Sequence, residues 1–181
     1  MKKLITIIVT LVFFAGLAKA ADIIVELRGH YFNPSEKAFR DIYGGGLVIG
    51  GEISVGVWRS LEVWFGGNYF SKKGKMTFTK EETELKLYPI GGGLKYKLST
   101  GIFDLYAGAG LNYYKYKESN PLGDVNKSGW GYVGAVGSYV KVNGGFLVDL
   151  YINYSYCRMK PADFRINIGG LEAGLGVGYH F

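Results

Sequence analysis

GGLEAGLGVGYHF, residues 169–181, ends the chain on a strict two-residue alternation. Leu171, Ala173, Leu175, Val177, Tyr179 and Phe181 are separated by a glutamate, three glycines and a histidine. Period two describes a strand with one apolar face and one small or polar face. Terminal strands normally fray. A pattern that sharpens up to the last residue needs a partner strand to hold that end.

The same alternation recurs upstream. Eight segments carry it: 22–32, 43–57, 61–70, 84–98, 102–117, 129–141, 145–157 and 166–181. No segment after residue 20 shows helical periodicity with caps. Trp58-Arg59-Ser60, Ser99-Thr100-Gly101 and Val142-Asn143-Gly144 read as tight turns, the last with an Asn-Gly hairpin signal. Between them lie longer polar stretches, 33–42, 71–83, 118–128 and 158–165. Short turns at one end and long loops at the other is the layout of an up-and-down transmembrane barrel. The alternation changes phase near Gly169-Gly170, where a bulge is expected. Pro89 removes a ladder donor, so it needs a place at the outer rim or on a bulge.

At the other terminus, Met1-Lys2-Lys3 precedes an apolar run from Leu4 to Leu17, and Ala18-Lys19-Ala20 has small-x-small spacing. This predicts a secretory signal peptide over 1–20, too short to span a membrane, and a single β domain over 21–181. Loss of Lys2, Lys3 and Lys19 takes the net charge from +6 to +3, too little to support nucleic-acid binding. Glycine is 29 of 181 residues, more than twice the usual share of about 7%, and aromatics reach 16%. The single cysteine, Cys157, leaves an exported chain without an internal disulfide, so its stability must come from elsewhere.

Which face points inward separates a soluble barrel from a membrane barrel. Aromatics decide it, because they cluster at the strand ends. On the loop side are Tyr31, Tyr43, Tyr69, Tyr88, Tyr113, Tyr116, Trp130, Tyr154 and Tyr156. On the turn side are Trp58, Tyr96, Phe103, Tyr139, Phe146, Tyr179 and Phe181. Two aromatic levels match the two interfaces of a bilayer. The reading is an all-β, eight-stranded antiparallel up-and-down transmembrane β-barrel, apolar outside. Its last strand must pair with its first, because lipid tolerates no unpaired edge.

With its signal peptide, eight alternating strands and the ending Tyr179-His180-Phe181, the chain resembles the small bacterial outer-membrane β-barrel family of the OmpX, Ail and OmpA-barrel type. The stretches Tyr43-Gly44-Gly45-Gly46 and Gly91-Gly92-Gly93 are also similar to members of that family. The resemblance implies the bacterial outer membrane as location. It also implies recognition of a terminal aromatic by the barrel-assembly machinery, with Tyr179 and Phe181 as the signal. It carries no single activity. The leading expectation is a monomer with a structural, envelope-integrity role. The alternatives are an adhesin or ligand-binding protein acting through its loops, or a narrow OmpW-like channel for small solutes.

Parity places Glu26, Arg28, Glu52, Glu62, Lys95, Lys97, Asp104, Asp149 and Glu172 in a polar lumen. Eight strands enclose room only for side chains or one small ligand, so these charges are expected to pair and fill, with bulk from Trp64, Tyr106 and Tyr151. Basic residues of the long loops, Lys72, Lys73, Lys75, Lys80, Arg158, Lys160 and Arg165, are candidates for contact with lipopolysaccharide phosphates or another ligand. Catalysis is not expected. The two histidines, His30 and His180, fall at opposite ends of the barrel, separated by about 25 Å or more, and neither has a serine two residues away. That separation also argues against a metal site, and nothing suggests a cofactor.

Overall fold

The computed structural model describes residues 22–75, 81–121, 123–160 and 165–181. The expected signal peptide and Lys80 lie outside them. The chain runs β1 (Ile23–Pro34), α1 (Lys37–Tyr43), β2 (Gly46–Trp58), β3 (Leu61–Lys75), β4 (Glu82–Ser99), β5 (Phe103–Asn120) and β6 (Gly123–Lys141). It continues with β7 (Phe146–Tyr156), β8 (Arg158–Met159), β9 (Ile166–Asn167) and β10 (Gly170–His180). Eight of these strands close an antiparallel barrel in the order β1-β10-β7-β6-β5-β4-β3-β2, while β8 and β9 pair apart as a small hairpin. Among the described residues no helix is long and apolar enough to cross a membrane.

Closure answers the question set by the C-terminal alternation. β10 pairs with β1 from Ile24↔His180 to Pro34↔Gly170, and the Phe181 amide donates to Ile23 O at 2.9 Å. Leu27 is 78% exposed, whereas its neighbours Glu26 and Arg28 are 3% and 9% exposed. That inversion of the soluble pattern extends around the wall, with Leu47, Ile49, Phe65, Ile90, Leu111, Leu175 and Val177 all exposed.

Inside, the packing has two storeys, and this corrects the expectation of a polar lumen throughout. The turn-side half is polar. The loop-side half is an apolar core in which Phe32, Val48, Phe70, Leu87 and Tyr114 from the wall meet Phe39 and Tyr43 of α1, with Met159 and Ile168 above. Phe32 packs edge-on against both Phe39 and Phe70. The helix itself was not anticipated. It has only seven residues and no side-chain N-cap, and Gly44 stops it at φ 64°.

Other expectations also change. Strands β3 to β6 run past the expected boundaries, so 71–75, 82–83, 118–120 and 123–128 are strand rather than loop. Tyr43, Tyr116 and Tyr139 are buried and leave the aromatic belts. At Gly169 the chain is interrupted rather than bulged. Its carbonyl accepts from the Ser35 amide at 3.1 Å, and the register irregularity falls instead between Gly56 and Trp58. Pro89 sits at neither rim. It pairs with Tyr114 on one side, and on the other the ladder lapses between Gly67↔Ile90 and Phe70↔Leu87, which tolerates a residue without an N–H.

Glycine shapes the interior at one point above all. A Cβ on Gly110 would lie 2.5 Å from Cζ2 of Trp64, so that large ring fits inside only because β5 carries no side chain there.

Candidate functional site

The polar storey is organised around Arg28. Even-numbered residues of β1 and β2 and odd-numbered residues of β4 and β7 point inward, and this brings side chains from distant strands together. The Arg28 guanidinium donates to Glu52, to Asp149 at 2.8 Å and to the Tyr106 hydroxyl at 3.2 Å. It also lies 3.7 Å from the centroid of the Tyr151 ring. Lys95 completes the group by donating to Glu52 and to the Tyr139 hydroxyl at 2.8 Å. Buried cations against aromatic faces and carboxylates offset the cost of desolvation.

The charges do not balance. Glu26, Glu52 and Asp149 face Arg28 and Lys95. Glu26 is the carboxylate left over: neither oxygen accepts a hydrogen bond among the described residues, and Arg28 Nε stands 3.7 Å away.

Below this group, Lys97 bridges Glu62 at 2.5 Å and Asp22 at 3.0 Å, and His180 contacts the same Asp22. Asp22 lies just before β1, at the turn-side end of the barrel, where its carbonyl accepts from the Gly56 amide at 2.7 Å. Burial works against its charge, but the hydrogen bond and charge of Lys97 and the charge of His180 outweigh burial and hold its carboxyl below the usual value. Asp104 pairs with Lys141 at 2.9 Å.

Above the group, the Tyr151 hydroxyl meets His30 Nδ1 at 2.9 Å, and His30 Nε2 lies 3.5 Å from Glu172. Asn153 and Ser155 donate to Glu172 at 3.3 and 3.2 Å. The serine therefore faces a carboxylate rather than a histidine. His30 is six residues along β1 from Ile24, which pairs with His180, so the histidines stand about 20 Å apart, somewhat less than expected. Cys157 is buried and its thiol donates to Trp130 O at 3.5 Å. Among the described residues no cluster of His, Cys, Asp and Glu could hold a metal.

The basic residues do not form one group. Lys73 and Lys75 are exposed on the outer face of β3, while Lys72 turns to its inner face beside Gly46. Arg158, Lys160 and Arg165 are exposed around the β8–β9 hairpin, Arg158 lying 5.6 Å from the Tyr156 ring centroid. At the opposite end Tyr179 packs between Phe146 and Phe181, with centroids 5.2 and 4.8 Å away. The loop-side belt is held by Tyr69 against Tyr88 and Tyr113 against Trp130, each at 5.2 Å.

Two contributors differ from the sequence reading. Position at a strand end places Tyr139 in a belt, whereas its odd position in β6 points inward. The helix core residues Phe39, Ile42 and Tyr43 have i, i+3, i+4 spacing, which was the available signal.

A closed barrel with an apolar outer band, aromatic belts at two levels and a buried ionic interior is an integral membrane β-barrel. Residues 6–181 match the model of the outer membrane protein beta-barrel domain, and the chain belongs to that family. Its location is the bacterial outer membrane.

Three solved structures are similar over nearly the whole chain. Neisserial surface protein A aligns with a TM-score of 0.67 at 19% identity, covering 90% of this chain and 99% of that one. OprG from Pseudomonas aeruginosa aligns at 0.68 and 15%, covering 90% and 96%. Outer membrane protein W of E. coli aligns at 0.53 and 16%, covering 90% and 98%. At these identities the likeness is one of fold. No curated protein sequence matches the chain.

Proposed function

We propose that the protein is a non-conducting structural barrel that contributes to envelope integrity and is seated among lipopolysaccharide by cations on its loop side. The observation that carries this reading is the filled middle of the barrel: a cavity of about 210 Å³ opens at the turn-side end, lined by Lys97, Asp104, Tyr139 and His180, but its lining does not reach Arg28. Between the apolar core and the charge network there is a cavity of only about 20 Å³, lined by His30, Phe32, Phe70, Leu87, Pro89 and Tyr114 among others. That is room for about one water. Ions crossing the barrel would have to displace both the ring cluster under α1 and the Arg28 network.

The reading includes no catalytic step. His30 is committed to Tyr151 and Glu172, and His180 to Asp22. Its partners are outer-leaflet lipid and, during biogenesis, the barrel-assembly machinery.

Planar-bilayer recording of the refolded protein tests it. The parent is expected to insert without ohmic steps, and an Arg28→Met variant is expected to stay closed because the apolar storey remains. Stable unitary conductance in the parent that changes size with Arg28 would instead establish a narrow channel.

A surface-binding role is the second reading, and the β5–β6 hairpin favours it. From Tyr113↔Trp130 to Asn120↔Gly123 is seven residues of paired strand, up to about 24 Å beyond the aromatic belt. Shortening that hairpin should leave the barrel stable and abolish any surface binding that the parent displays.

A further inference from the structure

Across the outer faces of β10 and β1 to β4 the wall carries a shallow, open groove between large side chains. It measures about 870 Å³ and is framed by Leu27, Ile49, Gly67, Tyr69, Tyr88 and Ile90. A second groove of about 510 Å³ continues it past Gly51 to Phe65, sharing Gly67 and Ile90. Gly51 and Gly67 are cross-strand neighbours and make the floor. Packing does not require glycine at 67, since an added Cβ would meet nothing nearer than Ile90 Cγ1 at 3.8 Å. From Tyr69 to Phe65 is four residues of β3, about 14 Å. That is the depth of one leaflet of a hydrocarbon band about 25–30 Å thick.

Cations stand over the upper end of the groove. Tyr69 and Tyr88 close it at the belt. The next outward position on β4 is Lys86, paired across the sheet with Lys117, while Tyr88 itself pairs with Lys115. Like charges placed opposite each other weaken a sheet. Glu84 relieves only Lys86, at 3.1 Å. Lys115 and Lys117 have no ion pair among the described residues. Three ammonium groups whose backbones lie about 5–8 Å apart suit more phosphate than a single phosphodiester offers.

We infer that this sector binds one bisphosphorylated lipid of the outer leaflet, the lipid A part of lipopolysaccharide. An acyl chain lies in the groove, and the phosphates lie on Lys86, Lys115 and Lys117. The inference rests on the lipid-seating part of the function proposed above. It adds a defined place on the wall, made by residues other than Lys72, Lys75 and Arg158.

Native mass spectrometry of the refolded barrel, titrated with bisphosphorylated lipid A and separately with phosphatidylglycerol, tests it. Three variants accompany the parent: the triple Lys86→Gln, Lys115→Gln, Lys117→Gln; the groove-filling Gly67→Leu; and the triple Lys72→Gln, Lys75→Gln, Arg158→Gln. The parent is expected to hold lipid A more tightly than phosphatidylglycerol. The first triple should lose about a hundredfold at low salt, with less loss as salt screens the charges. Gly67→Leu should lose at least about tenfold while keeping the parent's gel mobility and thermal stability, and the second triple should bind within about threefold of the parent. If the second triple alone weakens binding, the rim holds the lipid and this site is refuted, with the lipid-seating reading intact. Equal retention of phosphatidylglycerol refutes the choice of lipid A. Failure of the parent to retain either lipid refutes the lipid-seating reading itself.

Discussion

Replacing Arg28 with methionine tests the polar storey at its centre. Methionine keeps much of the side-chain volume but removes the cation paired with Asp149, one of the two cations paired with Glu52, the nearby charge for Glu26 and the cation over Tyr151. Breaking a buried ion pair from one side costs about 3–5 kcal/mol, because the stranded charge keeps its desolvation cost. Loss of a desolvated cation–π contact adds about 1–2 kcal/mol, and burial of the methionine chain returns part of that. A net loss of about 4 kcal/mol is the expected outcome, read from urea unfolding of the barrel refolded into detergent micelles. A companion variant separates lost charge balance from lost packing. Arg28→Met combined with Glu52→Gln and Asp149→Asn leaves Lys95 facing Glu26, one charge of each sign, and should recover more than half of the loss. A single variant costing under about 1 kcal/mol would refute the network as a source of stability. So would a triple variant no better than the single one.

Three further outcomes can be measured. Asp22 has its carboxyl held down by Lys97 and His180 against burial. A group depressed on folding stabilises above its unfolded value and loses that contribution as pH falls through its folded value. The parent should therefore melt above Asp22→Asn at neutral pH, and the gap should close below about pH 4; a gap that persists at pH 2 assigns the role of Asp22 to packing. Phe181 is exposed and contributes one ring to the turn-side belt, worth about 1–3 kcal/mol. Its deletion should sharply reduce assembled protein in cells while in-vitro refolding stays near parental, and normal cellular assembly would leave it an ordinary interfacial ring. Phe39→Ala removes the buried anchor of α1, worth about 3–5 kcal/mol in a packed core. Limited proteolysis should then cut within 37–45 before the barrel opens, and uniform resistance would show that the helix is held by something else.

The eight-strand barrel, its closure through β10 and β1 and the inward set of charged residues were legible in the sequence. Alternation is a local property: the pleat sends successive side chains to opposite faces whatever the strand pairs with. Leu171 to Phe181 and Glu26 with Arg28 declare their faces without any tertiary contact. The apolar storey was not legible, although Phe32 and Phe70 share parity with Glu26 and Glu62. Parity specifies a side of the wall but neither height nor neighbour, and only the closed barrel brings these rings level with α1. The belts failed for a different reason: position at a strand end does not by itself say which face a ring takes, and Tyr116 and Tyr139 have the inward parity of their strands, while Tyr43 belongs to α1. Which carboxylates Arg28 meets, and that Glu26 is left over, depends on the register of strands up to 121 residues apart in the chain. The lipid-facing groove likewise needs Gly51 and Gly67 to come level across β2 and β3. Local patterning sets which way each side chain points; barrel closure and strand register set what it meets there.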